Sequence, residues 1–349
     1  MAFLHSHSTE CMSSELYLFT LPATQTSIES SSFLHYKPVS SLSDDVDAPL
    51  EFVVPASSEH YFDLAHTMIH VHAKIKTPPN NAYPYKAYIE TLLNYAPAAN
   101  ESHLTSSLRY DDTSGGFDSP ANAVSTGTAP MIVNKGIKEA TLIVRRVKIS
   151  PGVLLAHAQA LSKTTAKYPI TRVEVKSFTL NSGILGDSID NVIHGQLPKR
   201  IILGFVENKA FNGNRALNPF NFQHFSINYI FLYVDGVQIP SKPLQPRFTG
   251  LDKLYIDAFQ TLYTGTGVHV LNEDFGINRY NYYKGNFLTA FDLTPDLSAH
   301  CGTHWNLVRS GRIRIEVRFE TALLTAINCI VYAEYDNVLE IDSSRQIEF

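Results

Sequence analysis

Arg312-Ile313-Arg314-Ile315-Glu316-Val317-Arg318-Phe319-Glu320 alternates charged and apolar side chains without a fault. Successive side chains of a strand point to opposite faces, so Ile313, Ile315, Val317 and Phe319 face a core while the five charges face water. The sheet that such a strand requires is legible on both sides of it. Downstream, residues 327–335 place Ile327, Cys329, Val331 and Ala333 on one face. Upstream, residues 287–293, 225–234, 200–206, 172–180 and 141–149 read as further strands. The strand ending at Val234 turns back into 237–239 across Asp235-Gly236, a two-residue hairpin signal. Ser150-Pro151 supplies an N-cap and a first-turn proline for a helix with Val153, Leu154, His157, Ala158 and Leu161 on one side. Leu251, Leu254, Tyr255, Ala258, Phe259 and Leu262 recur at helical spacing in a second helix, expected to end before Gly265. Roughly eight strands between residues 140 and 341, with a helix in one long connection, match a two-sheet jelly roll better than a parallel α/β sheet.

The amino-terminal part is less regular. Residues 1–50 are rich in Ser, Thr, Pro and His around the apolar Leu16-Tyr17-Leu18-Phe19, and read as an arm that docks locally. Residues 51–54 read as a short strand, and 62–75 as a long one with Thr67, Ile69, Val71, Ala73 and Ile75 on one face. The stretch 87–95, AYIETLLNY, fits a helix turn or a strand equally. Residues 96–136 are mostly Ala, Ser, Thr, Asn, Gly and Pro. So long a loop marks an exposed insertion, a boundary or missing sequence. The expected division is an arm over 1–50, a partial roll with a long flexible loop over 51–140, and a complete roll over 141–349.

Composition narrows the function. Of 349 residues, 44% are hydrophobic and 17% charged, which argues for a folded chain; 18 Tyr and 20 Phe favour sheets. A net charge of −5 is no footprint of a dedicated nucleic-acid binder. Cys11, Cys301 and Cys329 are odd in number and far apart, so neither a disulfide framework nor a paired-cysteine metal site is expected, and a reducing compartment fits. The opening MAFLHSHSTECMSSE lacks an apolar run of signal-peptide length, and no run is long enough to span a bilayer, so an unsecreted protein without membrane contact is expected. Phosphate-cradling, dinucleotide, nucleophile-elbow and zincin signatures are all missing from the sequence. No catalytic residue and no cofactor is therefore expected.

Two groups carry metal-ligating side chains. His66, His70 and His72 share one face of the 62–75 strand, where His-x-His can aim two imidazoles at a zinc. Met68 and Lys74 share that face with no Cys or carboxylate, so ligand counting favours exposed histidines. His300, Cys301 and His304, with Asp296 upstream, form a single ligand group where a structural zinc takes two pairs, so an ordinary polar loop is favoured. Charge is uneven: between Lys135 and Lys176 nine basic residues face two acidic ones, a local excess of seven. Lys135, Lys138, Arg145, Arg146 and Lys148 head this stretch, which suits a packaged polyanion, although a solvated surface explains it more simply.

Several strings go beyond pattern. They are Ser14-Glu15-Leu16-Tyr17-Leu18-Phe19 with Pro22-Ala23-Thr24-Gln25-Thr26-Ser27-Ile28; Tyr88-Ile89-Glu90-Thr91-Leu92-Leu93-Asn94-Tyr95; Asn218-Pro219-Phe220-Asn221-Phe222 after Asn212-Gly213; Phe291-Asp292-Leu293-Thr294-Pro295-Asp296-Leu297; and Val331-Tyr332-Ala333-Glu334-Tyr335-Asp336-Asn337. In this order, over nearly the whole chain, they resemble the hexon-type major capsid proteins of adintoviruses and Maverick/Polinton elements, copies of which occur as uncharacterized proteins in invertebrate genomes. The resemblance implies an all-β double jelly roll, a homotrimeric shell subunit of a virion, neighbouring copies and a penton protein as partners, and a place in the nucleus or cytoplasm of the host cell. It brings no catalytic residues. Relatives carry more sequence between the Tyr88–Tyr95 string and the strand near Thr141, so the first roll is expected to be short of strands.

Two other functions compete. A domesticated jelly-roll module would recognise a carbohydrate or protein through the loops 208–221 and 265–284, with Tyr280, Tyr282 and Tyr283 as platforms. A cupin-like enzyme would hold a metal on His66, His70 and His72.

Overall fold

The computed structural model describes residues 24–40, 42, 50–57, 59–73, 85–95, 137–214, 217–250, 253–268, 276–301, 306–344 and 346–348. Along them run β1 (Ile28–Tyr36), β2 (His60–Ala73), α1 (Tyr85–Tyr95), β3 (Ile137–Ile149), α2 (Pro151–Leu161), β4 (Ala166–Leu180), β5 (Gly186–Gln196), β6 (Arg200–Glu207) and α3 (Asn208–Phe211). There follow β7 (Ile227–Val234), β8 (Val237–Leu244), α4 (Ile256–Thr266), α5 (Arg279–Lys284), β9 (Leu288–Asp292), β10 (Ser310–Phe319), β11 (Ile327–Ile341) and β12 (Ile347–Glu348). The chain divides into two units. One is built from β1, β2, β3 and α2; the other takes in α1 and the chain from Thr165 onward.

In the second unit Ile313, Ile315 and Val317 are fully buried, as their alternation requires, because β10 lies inside a sheet ordered β5-β10-β7-β8. The other sheet runs β4-β11-β6-β9, with β12 beside the far end of β11. Number β4 to β11 from first to eighth: the sheets then read first-eighth-third-sixth and second-seventh-fourth-fifth. All their pairings are antiparallel. That order is two Greek keys wound together, a complete jelly roll, with α4 and α5 in the connection between its fifth and sixth strands.

β6 and the first nine residues of β11 are buried on both faces, as continuous apolar runs are when a sheet is covered twice. The outer cover is helical. Tyr85, Tyr88, Ile89 and Leu92 of α1 fall at helical spacing and are all buried, so the ambiguous 87–95 stretch is a helix with one apolar stripe. α4 packs on β9 so closely that a Cβ on Gly265 would lie 2.4 Å from the Ala290 carbonyl oxygen. Gly265 therefore allows this contact and does not end the helix. The end comes at Gly267, left-handed at φ 77°, so the expected boundary is corrected.

Asp235 and Gly236 both adopt positive φ, the two-residue turn the hairpin demands, and the Asp235 carboxylate also accepts the Arg312 N–H at 2.8 Å. β5 went unread because it does not alternate. Its pairing with β10 slips between Ile193 and Ile189, around Asn191 at φ 51°, which breaks the two-residue period.

In the first unit β3 is the middle strand of the order β1-β3-β2 and buries Ala140, Val144 and Val147. β1, within the expected arm, is a strand paired with β3 from Ile28↔Ile149 to Tyr36↔Leu142, with one register slip between Ile28 and Ser30. Residues 51–57 form no strand; instead the Glu51 carbonyl accepts the Val39 N–H at 2.8 Å. Ser150 occupies the N-cap position without a side-chain capping bond, and no residue of α2 is buried, so its expected apolar side packs only partly. β3 pairs with β1, and residues 138–164 belong to the first unit while the chain from Thr165 belongs to the second. Among the described residues the first unit holds three strands, and it leaves Phe33, Leu34, Phe62, Leu64, Met68 and Ile69 exposed.

Candidate functional site

His66, His70 and His72 are all exposed on β2. Beside His66, Asp63 Oδ2 lies 2.8 Å from its Nδ1 and also accepts from Arg145 Nη1 at 2.8 Å. Partial desolvation pushes the Asp63 carboxyl up, but His66 and Arg145 outweigh it and leave it below the usual range. The carboxylate is committed to a cation network. The His300 ring occupies the space beside Gly267, where a Cβ would lie 2.2 Å from its Cγ, and Cys301 is half-buried. His304 lies outside the described residues. Asp296 accepts from Ser298 Oγ at 2.6 Å, while Asp292 takes the Thr294 and Ala299 N–H groups at 2.9 and 3.0 Å, so these carboxylates build their loop. Among the described residues no group of three or more His, Cys, Asp or Glu is placed to hold a metal ion. Nor is any described helix long and apolar enough to cross a membrane. Burial pushes the Cys329 thiol up to about 12, which leaves it inert at neutral pH.

The basic stretch is divided between the units, and among the described residues four of its nine cations pair with carboxylates. Lys148 pairs with Glu29 at 3.1 Å, Arg145 with Asp63, and Arg146 donates to the Pro55 carbonyl at 2.6 Å while lying over the Phe62 ring. In the second unit Lys167 pairs with Glu340 at 3.3 Å, and Arg172 with Glu174. Lys135 falls outside the described residues and Lys138 is exposed.

The three tyrosines proposed as platforms separate. Tyr282 is fully buried against Phe259 and Phe287, and burial holds its hydroxyl far above the ordinary range. Tyr280 is 66% exposed, and Tyr283 is half-buried. Beneath Tyr283 lies His224, stacked on Phe248 with centroids 4.0 Å apart, its Nδ1 accepting the Ser226 N–H at 2.9 Å. Burial, with Lys253 nearby, lowers His224 to about 4.

Sequence reasoning missed a buried ion cluster. Arg200 donates to Glu334 from Nε at 3.0 Å and to the Thr266 carbonyl at the end of α4 from Nη1 at 3.0 Å. Lys199 meets Asp336 at 2.7 Å and Glu334 at 3.4 Å. The four side chains are between 9% and 18% exposed and tie β6, β11 and the last turn of α4 together. Only the string Glu334-Tyr335-Asp336 hinted at it, through acids set in an apolar strand.

No protein-family model matches the chain. An uncharacterized protein of Caenorhabditis elegans is 22% identical, over 81% of this chain and 80% of its own. Among solved structures, a chain of the Sputnik virophage is similar with a TM-score of 0.52 at 10% identity, over 98% of this chain and 92% of that one. The mavirus major capsid protein gives a TM-score of 0.32 at 9% identity, over 61% of this chain and 45% of that one. With the strand order of the second unit, the Sputnik likeness gives the chain an all-β double jelly-roll fold, complete in its carboxy-terminal roll.

Proposed function

We propose that this chain is a hexon-like major capsid protein, a structural shell subunit that associates as trimers and tiles an icosahedral shell of the adintovirus or Maverick/Polinton kind. The observation that carries the reading is the eight-strand roll within a likeness to a virophage chain that runs almost end to end on both sides. A shell subunit needs buried apolar rows and flanks that meet equal copies, not a reactive group. The acids Asp292, Asp296, Glu334 and Asp336 fit this, since each is held by internal hydrogen bonds or ion pairs. The exposed Phe33, Phe62, Leu64 and Met68 of the first unit are an apolar surface of the sort that neighbouring subunits cover. On this reading the protein resides in the virion, with copies of itself and a penton protein as partners. Packaged DNA would find only weak contact, because Arg145 and Lys148 are already paired.

Size-exclusion chromatography with mass measurement, followed by electron microscopy, tests the reading. Trimers, or closed particles, are expected. A monomer at every concentration and ionic strength would overturn it.

A further inference from the structure

Arg145, Lys148, Lys167 and Arg318 each meet a carboxylate. One region of the second unit instead sets several cations over aromatic rings. Lys253 Nζ lies 3.9 Å from the centroid of the Tyr283 ring, and the Arg279 guanidinium 5.0 Å from that of Tyr255. Lys284 Nζ lies 5.6 Å from both the Tyr280 and Tyr283 rings. Among the described residues none of these three cations pairs with a carboxylate; Asp257, in the first turn of α4, is the acid nearest to Tyr255 in sequence. Cations over ring faces keep their full charge while the rings fix their position.

The scaffold beneath is rigid. The Tyr263 hydroxyl donates to the Ile277 carbonyl at 2.8 Å, Asn278 caps α5 by accepting the Asn281 N–H at 2.8 Å, and the Tyr282 ring is locked between Phe259 and Phe287. A preordered array of this sort loses little entropy when a ligand arrives.

From these observations we infer that Lys253, Arg279, Lys284 and the exposed ring of Tyr280 form a binding surface for an acidic oligosaccharide. Tyr280 is the one ring of the set exposed widely enough to stack on a sugar, while the three cations stand ready for carboxylate or sulfate groups. A single-stranded nucleic acid fits less well, because successive bases need successive free rings and those of Tyr255 and Tyr283 are already covered. The inference does not rest on shell assembly, since none of these residues belongs to the roll's strands.

Calorimetric titration of the full chain tests it. The probes are a heparin-derived hexasaccharide (sulfate), a hyaluronan hexasaccharide (carboxylate), oligo-dT and neutral dextran, at an ionic strength of about 0.15 M. At least one acidic hexasaccharide is expected to bind, and which one does identifies the anion. Lys253→Gln/Lys284→Gln is expected to weaken it by about tenfold or more, as loss of charge-assisted contacts does. Tyr280→Ala is expected to weaken it about fivefold, the scale of one aromatic contact. Both variants alter exposed or half-exposed side chains, and unchanged circular dichroism and elution volume would show that fold and oligomer survive. No acidic hexasaccharide binding, tighter binding of oligo-dT, equal binding of dextran, or indifference to Tyr280→Ala would each overturn the inference. A monomeric wild type that still binds the hexasaccharide would count against the shell and leave this surface standing.

Discussion

The ring of Tyr88 lies stacked on the ring of Phe220, their centroids 4.2 Å apart and their planes 17° from parallel. One residue comes from α1 and the other from the loop before β7, 132 positions later, so the stack pins α1 to that loop. Phe220 also meets Tyr85, and both Phe220 and Phe222 are fully buried. Phe220→Ala is expected to cost about 3–5 kcal/mol, the range for emptying a buried aromatic site. Denaturant unfolding followed by tyrosine signals would read it. A loss below about 1 kcal/mol would show that α1 is not held there.

Gly265 and Gly152 predict opposite signs. Gly265→Ala drives a Cβ into the Ala290 carbonyl and must lift α4 from β9, an overpacking cost of about 1–3 kcal/mol. Gly152, in the first turn of α2, has nothing within 4 Å of an added Cβ, so Gly152→Ala is expected to be neutral or to stabilise by about 0.5 kcal/mol. Thermal unfolding of the two variants beside the parent checks the contrast.

His224 makes the second unit sensitive to acid. Its folded value, about 4, lies below the ordinary 6.5, so between those values the unfolded chain binds a proton that the folded chain refuses. Stability is therefore complete above pH 6.5 and falls as pH drops toward 4, by on the order of 2 kcal/mol once the ring's partial exposure is discounted. His224→Asn keeps an oxygen for the Ser226 N–H but cannot titrate. The difference in unfolding free energy between parent and variant should change across pH 7.5 to 4.5, and a pH-independent difference would refute the assignment.

The Arg200–Glu334 pair predicts non-additivity. Arg200→Met leaves a buried carboxylate with only Lys199 at 3.4 Å and frees the Thr266 carbonyl, which is expected to cost about 3–5 kcal/mol. Arg200→Met/Glu334→Leu removes both charges and should cost less than the single change. A double-mutant cycle in denaturant measures the coupling, and strict additivity would mean the pair contributes nothing.

Much of the fold was legible because strands and hairpins write local periods. The alternation over 312–320 placed Ile313, Ile315, Val317 and Phe319 inside, and Asp235-Gly236 marked the turn between β7 and β8. Where the period fails, so does the reading. β5 is interrupted at Asn191, and β1 sits in a segment whose Ser30-Ser31-Ser32 hides its pairing with β3. The candidate site was legible only in part. Tyr280 and Tyr283 were singled out with Tyr282, but nothing local tells which of three neighbouring tyrosines turns inward, and Lys253 stands about thirty positions from the ring it covers.

By itself, then, the order of residues determined a β-rich chain with a jelly-roll set of strands in its carboxy-terminal part, because period-two burial is a property of neighbours along the backbone. Only the tertiary structure decided that 85–95 is a helix, that Gly265 is a contact and not a stop, and that Lys199 and Arg200 meet acids more than 130 positions away. Those outcomes depend on which surfaces meet when the sheets and helices pack, and long-range packing leaves no period in the sequence to read.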